Sequence, residues 1–482
     1  MRPLRLQGDI PVMLALLGCL LPTAGALAAR PPAEPSSTQG LDSRRQLSLD
    51  IYRELLEINT TASVGDTHEA ARAMGARLLS AGFPEADVHV FQTAPRKGNL
   101  VARLRGTGKR KPLLLVAHID VVEAKRSDWT TDPFKLVEKD GYFYARGSGD
   151  DKYMAATWIA NLIRYKKEGY RPDRDLIVAL ETDEESGDPQ AFGIGWLIGA
   201  HRDLIDAELA LNEGGGVAVK NGKPLWNSLQ TSEKVFQSYW LETRNPGGHS
   251  SQPRPDNAIY ELAAGLERLA KFSFPVLLNE TTRAYFDRMS QLESGQVAAD
   301  MKAILAPQPD AEAAERLSMQ VPYNALLRTT CVATRLEGGH ADNALPQVAR
   351  AMVNCRILPN QPVEDVRNTL IRVLDDAKIT VTPDKPAIPS PPSPLRPDLL
   401  KTIGTLTQKF WPGIPVLPTM STGATDSLYL RNAGIPAYGH SGLASDFFDV
   451  RSHGKDERVS VQAFFTGQEY LYELVKQLSG GR

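Results

Sequence analysis

Histidine and carboxylate residues of this chain gather in short strings at the ends of apolar runs. His118 and Asp120 close the run Leu113 to Ala117, and Asp150 and Asp151 stand in Arg146-Gly-Ser-Gly-Asp-Asp-Lys152. Asp183, Glu184 and Glu185 precede Gly187, Glu213 opens a Gly-Gly-Gly run, and His453 and Glu457 share the string Ser452-His-Gly-Lys-Asp-Glu457. Taken singly, an acid before a helix serves as a cap that favours the helix dipole. Taken together, two imidazoles and three or four carboxylates form a ligand set for two zinc ions, because zinc accepts imidazole nitrogen and carboxylate oxygen at low coordination number. Such a pair polarises a carbonyl and acidifies a water. One carboxylate must bridge the ions and another must stay free as general base. Neighbouring side chains diverge, so adjacent Glu184 and Glu185 suit that division.

The elements that must position these groups follow from periodicity. Five apolar residues in a row, Leu113 to Ala117, predict a strand buried on both faces, and open α/β sheets bind ligands beyond the carboxyl ends of their strands. The other strings follow expected strands at Tyr142–Ala145, Asp175–Glu181, Ala207–Asn212 and Ile435–Tyr438. Helical spacing predicts helices between them, at about 68–81, 154–168, 193–200, 399–410, 426–433 and 461–478. This alternation predicts an α/β fold with a mixed sheet. Near Gln230 the pattern changes. Expected strands at Phe236–Arg244, Thr330–Glu337 and Ala349–Ile357, helices at 257–271 and 371–377, and a mixed helical stretch over 274–327 predict a smaller α+β domain inserted into the first. The Pro-rich run 383–397 marks the return crossing. The boundaries read as 46–230 and 386–482 for the two parts of the catalytic domain, with 231–385 inserted between them.

A chain of 482 residues exceeds what one core supports. Its net charge of −2 and the lack of any Lys/Arg block exclude a nucleic-acid groove. Arg2 and Arg5, the apolar run Val12 to Leu21 and the Ala26-Leu-Ala28 end read as a signal peptide over 1–28, followed by a flexible leader over 29–45. That run is too short for a stable membrane span, so export to a periplasm or to the medium is expected; lipidation at Cys19 is the alternative. After cleavage only Cys331 and Cys355 remain, and both a bridge and two buried thiols are open to them. His68, His89, His201 and His340 read as structural, whereas His440, near the active edge, has a substrate contact open to it.

The five strings, in this order and over nearly the whole chain from about Gln46, resemble the aminoacylase, carnosinase, Gly-X carboxypeptidase and succinyl-diaminopimelate desuccinylase family of co-catalytic zinc hydrolases, the clan MH metallopeptidases. Residue by residue, the resemblance implies that His118 and Glu213 bind one metal, Glu185 and His453 the other, and that Asp150 bridges both. It implies two Zn2+ per chain, with Co2+ or Mn2+ as substitutes. Asp120 would orient His118, Asp151 would stand behind the bridge, and Glu184 would take a proton from the attacking water and return it to the leaving amine. Asn212 departs from the commoner Asp-Glu pair before a ligand. The inserted domain would be the family's lid, through which the chain forms a homodimer. Pro246-Gly-Gly-His249 matches the motif whose imidazole reaches the partner's active site and stabilises the carbonyl oxygen. Asn343 and Arg356 would contact substrate, the planar fork of Arg356 clamping a terminal carboxylate, and the Gly423-Ala-Thr425-Asp426 loop would hold the same carboxylate. The implied reaction is hydrolysis of short peptides with a free carboxylate, or alternatively of N-acyl amino acids. A non-catalytic binding protein on the same scaffold would lack a ligand or the base, and none is missing. Aminopeptidases of the clan usually lack this inserted lid.

Overall fold

Successive residues of a strand point to opposite faces, and the strand Leu113–His118 is buried throughout. Leu113, Leu115 and Ala117 enter one apolar cluster with the helices Ser43–Glu57, Lys152–Lys167 and Val461–Ser479. Leu114 and Val116 enter another with Ile194, Leu197, Leu430 and Ile435. The computed structural model describing residues 36–185, 187–446 and 449–481 is therefore, at its centre, a sheet between two helical layers. The expected signal peptide, Cys19 and the leader up to residue 35 lie outside the described residues. Among those described, no helix is long and apolar enough to cross a membrane.

Eight strands make the large sheet, in the order 88–94, 97–104, 176–181, 113–118, 209–220, 437–446, 223–233, 416–421. Leu113–His118 runs parallel to Leu176–Glu181 and to Leu209–Lys220, which in turn is parallel to Ala437–Asp446. Antiparallel pairs at 97–104 and 223–233 make the sheet mixed, as the alternation predicted. Leu113–His118 and Leu176–Glu181 deliver their carboxyl ends to one edge, where His118 and Glu184–Glu185 emerge, and Glu213 stands inside its longer strand two residues beyond Leu211, the register partner of Leu115.

The second sheet, ordered 330–338, 348–357, 235–244, 380–383, carries the helices Ala258–Lys271 and Val363–Leu374 on one face. Cys331 and Cys355 are register partners across it and form a disulfide. A two-residue ribbon pairs Gly248–His249 with Ala344–Leu345.

Three expectations change. The helix expected at 371–377 lies at Val363–Leu374: Glu364 and Asp365 favour its first turn, Val366, Leu370 and Leu374 face the core, and Asp375 ends it at φ +44. The strand expected to end at Asn212 runs on to Lys220 and returns as Lys223–Glu233 through Asn221-Gly222, both at positive φ. Asn-Gly between strands is a hairpin signal. The helical stretch 280–327 packs its core around Leu417, and Arg288 donates to the Val416 carbonyl at 2.6 Å. It thus covers the edge strand Val416–Ser421 of the large sheet, which would otherwise present unpaired backbone.

Candidate metal centre

Two groups of side chains can each hold a cation: His118, Asp150 and Glu213, and Asp150, Glu185 and His453, with the donor atoms of each within 4.8 Å of one another. Asp150 belongs to both. Its Oδ1 lies 3.1 Å from His118 Nε2 and its Oδ2 lies 3.2 Å from His453 Nε2. Glu213 Oε2 is 3.9 Å from His118 Nε2, and Glu185 Oε2 is 2.9 Å from His453 Nε2. His118 Nδ1 donates to the main-chain carbonyl of Asp120 at 3.0 Å. Its other nitrogen, Nε2, therefore faces carboxylate oxygens, as an N–H donor when the ring is protonated and with a lone pair when it is neutral. With the ring neutral the arrangement fits a cation, since acceptors facing acceptors at this distance repel unless a positive charge lies between them.

Charge points the same way. Burial, with Glu184 and Asp150 nearby, pushes the Glu213 carboxyl well above its usual range. Burial does the same to Glu184, reinforced by Asp426, Glu185 and Asp120 and opposed by His118, and it raises Glu185 to about 7. Burial works against the charged form of His118, yet its hydrogen bond to Asp150 and the charges of Glu213 and Glu184 hold its pKa well above 6.5. Asp150 itself is held low by the two imidazoles in spite of burial. Carboxyls raised in the folded state bind protons that the unfolded chain has already released above about pH 4.5. Stability then falls as pH rises toward 7, and raised histidines act in the same direction. We expect the cation-free protein to lose on the order of a few kcal/mol between pH 5 and 8, and the cation-loaded protein to show a flatter profile. Thermal unfolding with and without chelator measures this; a cation-free protein that gains stability with pH would contradict it.

The loop bearing Asp150 is set by Glu457. Glu457 Oε2 accepts from Arg146 Nη1 at 2.7 Å and from Gly147 N at 3.0 Å, while Oε1 accepts from Gly149 N at 2.8 Å and Asp150 N at 3.2 Å. Buried Lys152 donates to the carbonyls of Leu55 and Ile58, both at 2.8 Å, anchoring the same loop to the first helix. Asp120 acts differently from expectation. Its carboxylate stands 3.7 Å from His118 Nδ1 and accepts instead from Glu184 N at 3.2 Å and Glu185 N at 3.0 Å. It holds His118 through its carbonyl and the Glu184–Glu185 segment through its side chain. Next to Glu213 the chain passes through Gly214 at φ +130, a backbone conformation that glycine adopts without the cost a side chain would bring.

The sequence profile of peptidase family M20/M25/M40 matches residues 114–477. The chain belongs to this family. It is accordingly a hydrolase of the M20 metallopeptidase kind, in clan MH, as the strings implied. The human N-fatty-acyl-amino acid synthase/hydrolase PM20D1 is 30% identical over 378 residues, 76% of this chain and 74% of its own length. A probable carboxypeptidase S-like 2 of Dictyostelium discoideum is 27% identical over 96% of this chain and 91% of its own. Among solved structures, the M20 family metallo-carboxypeptidase Sso-CP2 of Sulfolobus solfataricus superposes with a TM-score of 0.65, at 17% identity, over 90% of this chain and 99% of its own. That likeness shows the M20 fold.

The remaining candidate residues of this M20 chain stand apart from the two ligand groups. His249 is exposed, with Nδ1 2.7 Å from Ser251 Oγ, and the Asn343 carbonyl beside it accepts from Ser250 N at 3.0 Å. Arg356 stacks on the Phe236 ring at 4.7 Å. Thr425 donates its hydroxyl proton to Glu233 Oε2 at 2.8 Å, so that proton is not offered to a ligand. His440 is fully buried between Ser228 O and Tyr470 Oη and is pushed down to about 4 by burial, which removes it from substrate. Asn212 donates to Ser427 Oγ at 3.1 Å. Asp151 is buried, with one carboxyl oxygen unpartnered, and its pKa stands well above the usual range, chiefly through burial. Sequence reasoning missed Glu181, a buried carboxyl whose pKa burial and the neighbouring Asp426 and Asp120 push well above its usual range. Glu181 and Asp426 lie far apart in the chain, and no local pattern could have brought them together.

Proposed function

We propose that this protein is an exported, dinuclear zinc peptidase that hydrolyses the amide bond of short peptides bearing a free C-terminal carboxylate. The observation that carries this reading is Asp150 set between His118 and His453, one oxygen to each, with the free acid Glu184 alongside. His118 and Glu213 would hold one zinc, Glu185 and His453 the other, and Asp150 both; Co2+ or Mn2+ could substitute. Bound there, the ions supply Lewis acidity toward a carbonyl oxygen and toward a water. Glu184 takes the proton of the attacking water on a carboxylate oxygen and delivers it to the departing nitrogen as the C–N bond breaks. Asp120 keeps Glu184 in place through its backbone N–H. His249, reaching across a homodimer formed through the lid over 231–385, donates to the developing oxyanion. Arg356 and Asn343 receive the substrate from the lid side, and the loop at Thr425 receives it from the catalytic side.

A second reading, hydrolysis of N-acyl amino acids, is favoured by the name of the human relative at 30% identity. It uses the same groups, since an N-acyl amino acid also carries an amide and a free carboxylate. A matched panel separates the two: free dipeptides, the same dipeptides amidated at the C-terminus, and N-acyl amino acids, given to zinc-loaded protein. Cleavage of free dipeptides but not of their amides is expected. Turnover of N-acyl amino acids alone would establish the second reading, and no turnover with two metals bound would leave a binding protein.

A further inference from the structure

Two residues of one interdomain crossing hold the groups proposed to meet the substrate carboxylate. Glu233 ends the strand Lys223–Glu233 of the large sheet, and Val235 begins the first strand of the lid sheet. Glu233 Oε1 pairs with Arg431 Nη2 at 2.7 Å, both side chains 2% exposed, and Glu233 Oε2 accepts from Thr425 Oγ1 at 2.8 Å. Thr425 Oγ1 in turn accepts from Ser427 N at 3.2 Å, which closes the loop 423–426 onto its helix. Three residues beyond Glu233, Phe236 carries the Arg356 guanidinium on its ring. Arg431 also donates through Nε and Nη2 to Ser390 Oγ, at 3.3 and 3.1 Å, and Ser390 lies on the return crossing. Lys234, between Glu233 and Val235, donates to the Arg328 carbonyl at 2.8 Å and to Thr330 Oγ1 at 3.4 Å, pinning the crossing on the lid side. A cavity of about 190 Å3 opens beside these groups, walled by Glu233, Phe236, Ser390, Ala424 and Leu428.

Resting on the carboxylate reading above, we propose that the buried Glu233–Arg431 pair is the positioning device for carboxylate recognition. It registers the 423–426 loop and both crossings to one another, and Arg431 cancels the charge of Glu233. A buried pair is weak support for stability, since apolar groups of similar shape often replace one without loss; its demand for exact geometry is what registers three segments together. An uncompensated Glu233 beside the loop would repel an incoming carboxylate. Neither residue touches the reacting atoms, so the effect falls on substrate affinity.

The test is steady-state kinetics of the full-length zinc-loaded protein on a free dipeptide and its C-terminal amide, with Arg431→Met and with the double variant Glu233→Gln/Arg431→Met. The double variant leaves no unpaired buried charge and so covers a failure of the single variant to fold. We expect the preference for acid over amide in kcat/KM to fall at least about tenfold in Arg431→Met, through KM for the acid, with kcat and the amide unchanged within about threefold. The double variant should lose the loop registration but not gain repulsion, and should show a smaller loss in the same direction. A folded variant that keeps the wild-type preference, or that loses acid and amide turnover equally, would overturn the proposal while leaving the carboxylate reading intact. A wild-type protein without any preference for the acid would overturn both.

Discussion

Replacing Glu184 by Gln is expected to leave two metal ions bound and to lower kcat by about 10^2- to 10^4-fold, the range for loss of a positioned general acid–base. The two ligand groups do not include Glu184. Its backbone is held by Asp120 Oδ1, and its carboxyl lies among His118, Asp426, Glu185 and Asp120, so the amide isostere fits the same space. Gln can hydrogen-bond a water but cannot take its proton, and KM should stay near the wild-type value because ground-state contacts are unchanged. Metal content by elemental analysis, together with kcat and KM on the preferred panel substrate, decides this. A Glu184→Gln protein with normal kcat would remove Glu184 from the base role, and one that has lost metal would make it a ligand.

Replacing Asp150 by Asn is expected to lower the affinity for both ions at once, whereas Glu213→Gln or Glu185→Gln should weaken one. Only Asp150 sits in both ligand groups, its two oxygens divided between the two imidazoles. An amide offers one good acceptor where the carboxylate offers two, and its NH2 would face a histidine nitrogen or a cation. The loss per site should exceed the roughly 10- to 100-fold that follows removal of a group merely hydrogen-bonded to a ligand. Competition with a chromophoric chelator counts the ions and reads each affinity. Two undiminished sites in Asp150→Asn would end its bridging assignment, and loss of a single ion would make it a ligand of one site only. Glu457→Gln, which leaves the ligands intact but weakens the clamp on the 146–150 loop, should produce a milder form of the same loss.

Legibility of the site differed from residue to residue for a physical reason. His118 and the Glu184–Glu185 pair could be found because parallel strands place their carboxyl ends on one edge, so each candidate announces itself as a charge just past an apolar run. Asp150, by contrast, follows a strand of a separate antiparallel sheet and Glu213 stands inside its strand, and these were legible only from their strings of glycines and acids. The helix expected at 371–377 starts earlier, at Val363, because Pro362 and the acids Glu364 and Asp365 favour a helix start there and Val366, Leu370 and Leu374 continue one buried face. The return strand Lys223–Glu233 was passed over although Asn221-Gly222 marks its turn.

By itself the sequence determined the α/β class with its inserted α+β domain and the family, and it named the candidate side chains for metal and base chemistry, since these depend on residue type and local period. Only the tertiary structure decided which atoms face each other. It gave the Asp120 carboxylate to the amides of Glu184 and Glu185, paired Cys331 with Cys355, buried His440, spent the Thr425 hydroxyl proton on Glu233, and set Glu457 under the Asp150 loop. Each of these joins residues that local sequence does not relate, and the hydrogen-bonded ones follow from the rule that a buried polar group must find a partner wherever the packed chain brings one within reach.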